Sequence, residues 1–97
     1  MFFDLPTETS VDRRNYRKFR KELISNGFFM LQESVYCRMV LNKSVEESVI
    51  ATLKKNRPPN GCVAVLSVTE KQFSNITYLT GKYSTDVVET DERVVIL

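Results

Sequence analysis

The chain has 97 residues, 42% hydrophobic and 27% charged, with a net charge of +2. A chain of this length buries only about 60 to 65% of its unfolded surface, which suits one compact domain and leaves no room for a separate catalytic one. No apolar run approaches the roughly 18 residues of a membrane span. The absence of His excludes triad chemistry and, without a Cys-x-x-Cys pattern, leaves no basis for structural zinc, so any catalysis must run on carboxylates, metal ions or Lys. The start MFFDLPTETSVDRR has no basic n-region and too short an apolar stretch for a signal peptide, so the expected location is the cytoplasm, where Cys37 and Cys62 are ordinary thiols.

In chain order, Met1 to Leu5 reads as a short strand with Phe3 and Leu5 on one face and Phe2 and Asp4 on the other. Pro6 ends it. Thr9 or Ser10 caps the next segment, and Thr9-x-x-Asp12 resembles a capping box. Tyr16, Phe19 and Leu23, with Ile24 beside them, fall at helical spacing and predict a helix that lays one stripe on a core. Arg14, Lys18 and Lys21 point the other way, with Arg17 at the border. Between Ser10 and Asn26 six basic residues stand against Asp12 and Glu22, so the helix has an aromatic stripe and a basic back. Asn26-Gly27 supplies a left-handed stop.

Phe28 to Leu31 and Val35 to Val40 are β-prone runs around the polar Gln32-Glu33-Ser34, a hairpin pattern. Ser44-Val45-Glu46-Glu47 reads as a capping box for a second helix with Val45, Val49, Ile50 and Leu53 on one face and Lys54, Lys55 and Arg57 at its end, where cations suit the helix dipole. Pro58-Pro59-Asn60-Gly61 turns the chain. Cys62 to Thr69 reads as one strand, apolar on both faces. The order strand, helix, strand, strand, helix, strand is that of the α+β ferredoxin-like βαββαβ sandwich, which packs both helices on one sheet face. The other face then needs a cover, and a second subunit in a symmetric homodimer is the economical one. Glu70 to Asn75 is a linking segment, Ile76 to Thr80 is strand-like, Gly81 to Arg93 is a polar acidic loop, and Val94-Val95-Ile96-Leu97 is an additional strand that pairs with a sheet edge in cis or across a dimer. The whole chain is one domain, with a core of 1–80 and a loop and strand of 81–97 for dimer or partner contact.

Asp4 is the odd residue, a carboxylate in an apolar run. If Phe3 and Leu5 face the helices, Asp4 faces the open side, where twofold symmetry would bring it near its copy and a divalent metal would suit the pair. The alternative is that Asp4 accepts hydrogen bonds from the following loop, where Thr7 and Thr9 offer hydroxyls and amides.

Five blocks in order carry a resemblance: Phe3-Asp4-Leu5-Pro6-Thr7, Tyr16-Arg17-Lys18-Phe19-Arg20-Lys21, Gln32-Glu33-Ser34-Val35-Tyr36, Thr69-Glu70-Lys71-Gln72-Phe73 and Asp91-Glu92-Arg93. Together they span essentially the whole chain, which resembles the CRISPR-associated protein 2 family, the small subunit of spacer acquisition, and most closely its type II members. The resemblance implies a ferredoxin-like homodimer that sits between two dimers of the partner integrase and holds a short DNA duplex. It also implies metal-dependent endonuclease activity on RNA or DNA, with magnesium held by Asp4. Members carry several residues before the matching Asp, so the first strand is expected to be short here.

Two function classes follow. A duplex-binding scaffold needs Lys and Arg spread over a surface and no pocket, and Arg14, Arg17, Lys18 and Lys21, then Arg13 and Arg38, are the candidate phosphate contacts, against the alternative of a solvated helix face. A nuclease wants several convergent carboxylates, and here Asp4 stands with only Glu8 and Glu33 as conceivable further ligands. Ser34 and Tyr36 mark the hairpin motif, Ser34 reading first as a turn residue. Val94, Val95, Ile96 and Leu97, with the acidic loop, are the expected integrase contact, the alternative being edge pairing within the homodimer. Single-strand RNA binding in the RNP manner would need aromatics on the central strands, and CVAVLSVT has none.

Overall fold

The computed structural model describes residues 1–81 and 94–97. Its elements are β1 (Phe2–Asp4), α1 (Ser10–Ser25), β2 (Phe29–Gln32), β3 (Val35–Val40), α2 (Lys43–Lys55), β4 (Cys62–Ala64), β5 (Ser67–Thr69), α3 (Glu70–Ser74) and β6 (Val94–Ile96). All strand pairs are antiparallel, and the order β4-β1-β3, with β2 on the other edge of β3, is the ferredoxin-like arrangement.

Local chemistry explains the helix starts. The Thr9 hydroxyl accepts from Asp12 N at 3.0 Å while the Asp12 carboxylate accepts from Thr9 N at 3.2 Å, the reciprocal capping box expected for α1. For α2 the cap is Asn42, whose side chain accepts from Val45 N at 3.0 Å, and the box expected from Ser44 is not the one used. Asn outcompetes here because it stands one residue ahead of the first helical turn, leaving Ser44 already inside it. Phe19, Leu23, Val49 and Leu53 are buried beneath the helices, whereas Ile24, expected beside the stripe of α1, is exposed.

The expected Cys62 to Thr69 strand is broken at Val65 and Leu66. Its first half pairs with β1 and its second with β6, and β6 also pairs with the far half of β3, Arg38 facing Ile96 and Val40 facing Val94. β1 and β6 therefore lie end to end in one row, between β3 on one side and β4 and β5 on the other. Leu66 and Leu97 exchange backbone hydrogen bonds of 2.6 and 2.8 Å across the break. The closing strand thus pairs in cis, and Val95, Ile96 and Leu97 are buried within the subunit. The cis pairing is one of the two alternatives left open for this segment; Val94 is half-buried, and Leu97 lies at the border of an open groove. The acidic loop lies outside the described residues from position 82 onward.

Two apolar clusters result. Met1, Phe3, Phe19, Leu23, Phe28, Tyr36, Val40, Val49, Leu53 and Ile96 fill the space under α1 and α2. Phe3 is its hinge, edge-on to Tyr16 and Phe19 at 5.9 and 5.7 Å and stacked on Tyr36 at 5.7 Å, contacts worth about 0.5 to 1.5 kcal/mol each beyond burial. On the opposite face Cys37, Phe73, Val95 and Leu97 form the second cluster. Phe73 belongs to α3, a helix of one turn with its own capping box between Thr69 and Gln72, where the sequence pattern suggests only a linking segment. A short helix of this kind leaves no periodicity to read, and the Thr-x-x-Gln spacing is its one signal. The domain thus covers part of its second face itself. Residues 76–80 form no strand.

The hairpin turn is Glu33-Ser34, tighter by one residue than expected, with Ser34 at φ 64° and a register shift between Met30 and Gln32. A non-glycine residue there carries about 1 to 2 kcal/mol of strain, partly offset in a Gly variant by a freer unfolded chain. Ser34→Gly is expected to stabilise by about 0.5 kcal/mol, read as a rise in Tm of about 2 to 4 °C.

Cys37 is fully buried, and burial pushes its thiol up to about 11. The folded chain keeps that proton through a range where the unfolded thiol, ordinary at 9.0, has given it up. The site's contribution to stability therefore falls as pH rises from 9 to about 11. Chemical denaturation should show the stability difference between wild type and Cys37→Ala shrinking across that window.

Candidate nucleic-acid interface

Asp4 sits at the end of β1, and three contacts place it. Phe3 N donates to Ser34 O at 3.1 Å, Tyr36 N donates to Met1 O at 3.0 Å, and Asp4 faces Cys62 across the β1–β4 ladder. Phe3, buried in the aromatic cluster, fixes which way the strand faces, so Asp4 and Phe2 turn to the open side and both are exposed. The hairpin motif accordingly serves the site through backbone and packing. Ser34 lends its carbonyl, and Tyr36 is buried with its hydroxyl accepting from Arg20 Nε at 2.8 Å.

Among the described residues the Asp4 carboxylate makes no hydrogen bond or ion pair. No hydroxyl or amide of the described loop donates to it: the Thr9 amide goes to the Asp12 carboxylate at 3.2 Å, and the Thr9 hydroxyl serves as the acceptor for Asp12 N in the cap of α1. Asp4, Glu8 and Glu33 do not form one cluster, for no three His, Cys, Asp or Glu side chains of the described residues gather closely enough to hold a metal ion.

The six cations expected at phosphates divide. Arg14, Arg17, Lys18 and Lys21 are exposed on the back of α1 and, among the described residues, enter no hydrogen bond or ion pair. Arg13 is exposed but tied to the loop before its helix, its Nη1 donating to the Thr7 and Glu8 carbonyls at 3.2 and 3.0 Å. Arg38 is half-buried, lies along Gly27 and donates from Nη1 to Asn26 O at 2.6 Å, so it secures the end of α1. One of its donors is thereby committed within the subunit, unlike those of the four exposed cations of α1. Two cations not foreseen at the interface, Lys55 and Arg57, stand across a groove from Lys18. Their sequence signal, basic residues at a helix end, points to dipole complementation alone.

An exposed apolar face completes the surface. Phe2, Leu31, Val35, Ile76, Tyr78 and Leu79 line an open groove beside β1, and Leu79 is 94% exposed.

The family model for CRISPR associated protein Cas2 matches residues 1–76. This chain belongs to that family. A CRISPR-associated endoribonuclease Cas2 of Treponema denticola is 47% identical over 97 residues, covering all of this chain and 96% of the relative. Those of Streptococcus mutans strain UA159 and Ligilactobacillus salivarius are 47% and 44% identical over the whole chain, covering 89% and 96% of those relatives. Membership in the Cas2 family agrees with the ferredoxin-like fold reached from the hydrophobic pattern, and no helix among the described residues is long and apolar enough to cross a membrane.

Proposed function

We propose that this chain is a small dimeric subunit of a CRISPR adaptation complex in the bacterial cytoplasm, bridging integrase dimers and binding the backbone of double-stranded prespacer DNA. The observation that carries the reading is the back of α1: four cations, exposed and unpartnered among the described residues, on a helix whose other side is locked into the core. Such a face binds regularly spaced phosphates without reading bases. The apolar groove beside β1 supports homodimerisation, since a single copy leaves Phe2, Tyr78 and Leu79 in water.

A second reading is magnesium-dependent endonuclease activity, favoured by the name endoribonuclease that the relatives carry and by the unbonded carboxylate of Asp4. Magnesium keeps several waters and needs only one or two carboxylates with substrate phosphates, so Asp4 from each subunit of a dimer fits as its protein donor set. The ion would supply charge neutralisation at a phosphate. One carboxylate per chain makes a sparse site, which is why scaffolding ranks first.

The test is integration of a short duplex into a repeat-bearing target by the reconstituted complex, comparing wild type with Asp4→Ala after light scattering confirms two dimers. Normal integration by the variant is the expected result and supports the scaffold. A loss of integration with the dimer intact would give Asp4 a direct role, and RNA cleavage assayed with and without magnesium would then decide the second reading.

A further inference from the structure

Where α1 passes the end of α2, the two helices leave a groove lined by Asn15, Lys18, Glu22, Lys55, Arg57 and Pro58. Lys18 comes from the back of α1, Lys55 from the last turn of α2, and Arg57 from the exit, held by a hydrogen bond from its Nη1 to Lys54 O at 3.1 Å. Three cations, from α1, from α2 and from the segment that leaves α2, thus line one trough. The one acid among the described residues that line it, Glu22, accepts at Oε1 from Asn26 Nδ2 at 3.1 Å. Pro58 and Pro59 follow Arg57 directly and stiffen the backbone that presents it.

Complementing the dipole of α2 explains cations in its last turn, but Lys54 and Lys55 share that task. It does not explain why Lys55 and Arg57 share a groove with a third cation from another helix, where the one carboxylate among the lining residues, Glu22, leaves an excess of positive charge that suits an anionic ligand. We propose that this groove is a second phosphate seat, so that the duplex runs from the back of α1 onto the end of α2, with Lys18 shared by both surfaces. The inference rests on the duplex-binding reading and extends it to Lys55 and Arg57.

The experiment is anisotropy titration of a short labelled duplex against the full-length protein over a series of salt concentrations. Four proteins are compared: wild type, Lys55→Ala/Arg57→Ala, Lys54→Ala and Arg14→Ala/Arg17→Ala/Lys21→Ala, each checked by thermal melting. Removing two phosphate-binding cations from each chain should flatten the slope of log affinity against log salt by about 1.8 for each protomer that lies on the duplex and weaken binding at physiological salt by at least about tenfold. Lys54→Ala, with the same place relative to the dipole but outside the groove, should bind within about twofold of wild type. A wild-type slope for Lys55→Ala/Arg57→Ala, with the α1 variant weakened, overturns the seat and leaves the duplex-binding reading standing. An equal weakening in Lys54→Ala also overturns it, by showing diffuse charge rather than a seat. Absence of salt-dependent duplex binding by wild type overturns both.

Discussion

Gly61→Ala is expected to destabilise the fold by about 3 kcal/mol and to displace Asp4. Gly61 has φ +92°, outside the range that L side chains favour, and a Cβ built there would lie 2.6 Å from the Asp4 carbonyl oxygen, 2.8 Å from Leu5 Cδ2 and 3.1 Å from Leu5 Cα. The backbone conformation accounts for about 1 to 2 kcal/mol, and the forced shift of a packed strand for a similar amount. The atom in the way is backbone, so no rotamer change relieves the clash. The strand that must move is β1, and it must move at the residue whose carboxylate faces solvent. Gly81→Ala is the internal control: its φ is +73° but, among the described residues, nothing lies within 4 Å of the added carbon, so the conformational part, about 1 kcal/mol, is what applies. Urea unfolding of both variants checks the difference, and a Gly61→Ala midpoint no lower than that of Gly81→Ala would show that β1 and the turn do not approach so closely. Any function that depends on Asp4 should fall with Gly61→Ala and persist in Gly81→Ala.

Sequence pattern made the first two thirds of the fold legible because its elements are governed by local rules. The spacing of Tyr16, Phe19 and Leu23, the Thr9-x-x-Asp12 box and Asn26-Gly27 each act within a few residues of where they stand, and α1 follows them. The break at Val65 and Leu66 was invisible for the opposite reason. CVAVLSVT has the composition of one continuous strand, and what divides it is the arrival of β6 beside β1, a partner from the far end of the chain. The same arrival buries Val95 to Leu97, which an apolar tail alone leaves undecided between cis pairing and a partner. At the site, Asp4 was legible as a carboxylate out of place, because alternation along β1 assigns its face. The capture of Arg38 by the Asn26 carbonyl was not, since it depends on which of several acceptors a long side chain reaches in three dimensions.

Replacing Arg14, Arg17, Lys18 and Lys21 together by Ala is expected to weaken duplex binding by about 100- to 1000-fold at physiological salt while leaving the fold intact. Each phosphate that goes unneutralised takes about 0.9 from the slope of log affinity against log salt, so four of them flatten it by about 3.6 for each protomer that lies on the duplex. The effect is separable from stability. All four side chains are exposed and none is hydrogen-bonded or ion-paired among the described residues, so the core keeps its packing, and Ala is the strongest helix former, so α1 itself is not weakened. Melting curves should therefore superimpose on those of wild type or lie slightly above them, because removing four like charges from one helix also relieves their mutual repulsion. Base composition of the duplex should alter binding little in either protein, since interactions with phosphates carry no sequence information. A steep salt slope retained by the variant would move the interface off α1 altogether. A flattened slope with an unchanged melting temperature would tie duplex binding to the one face of this helix that the core does not use.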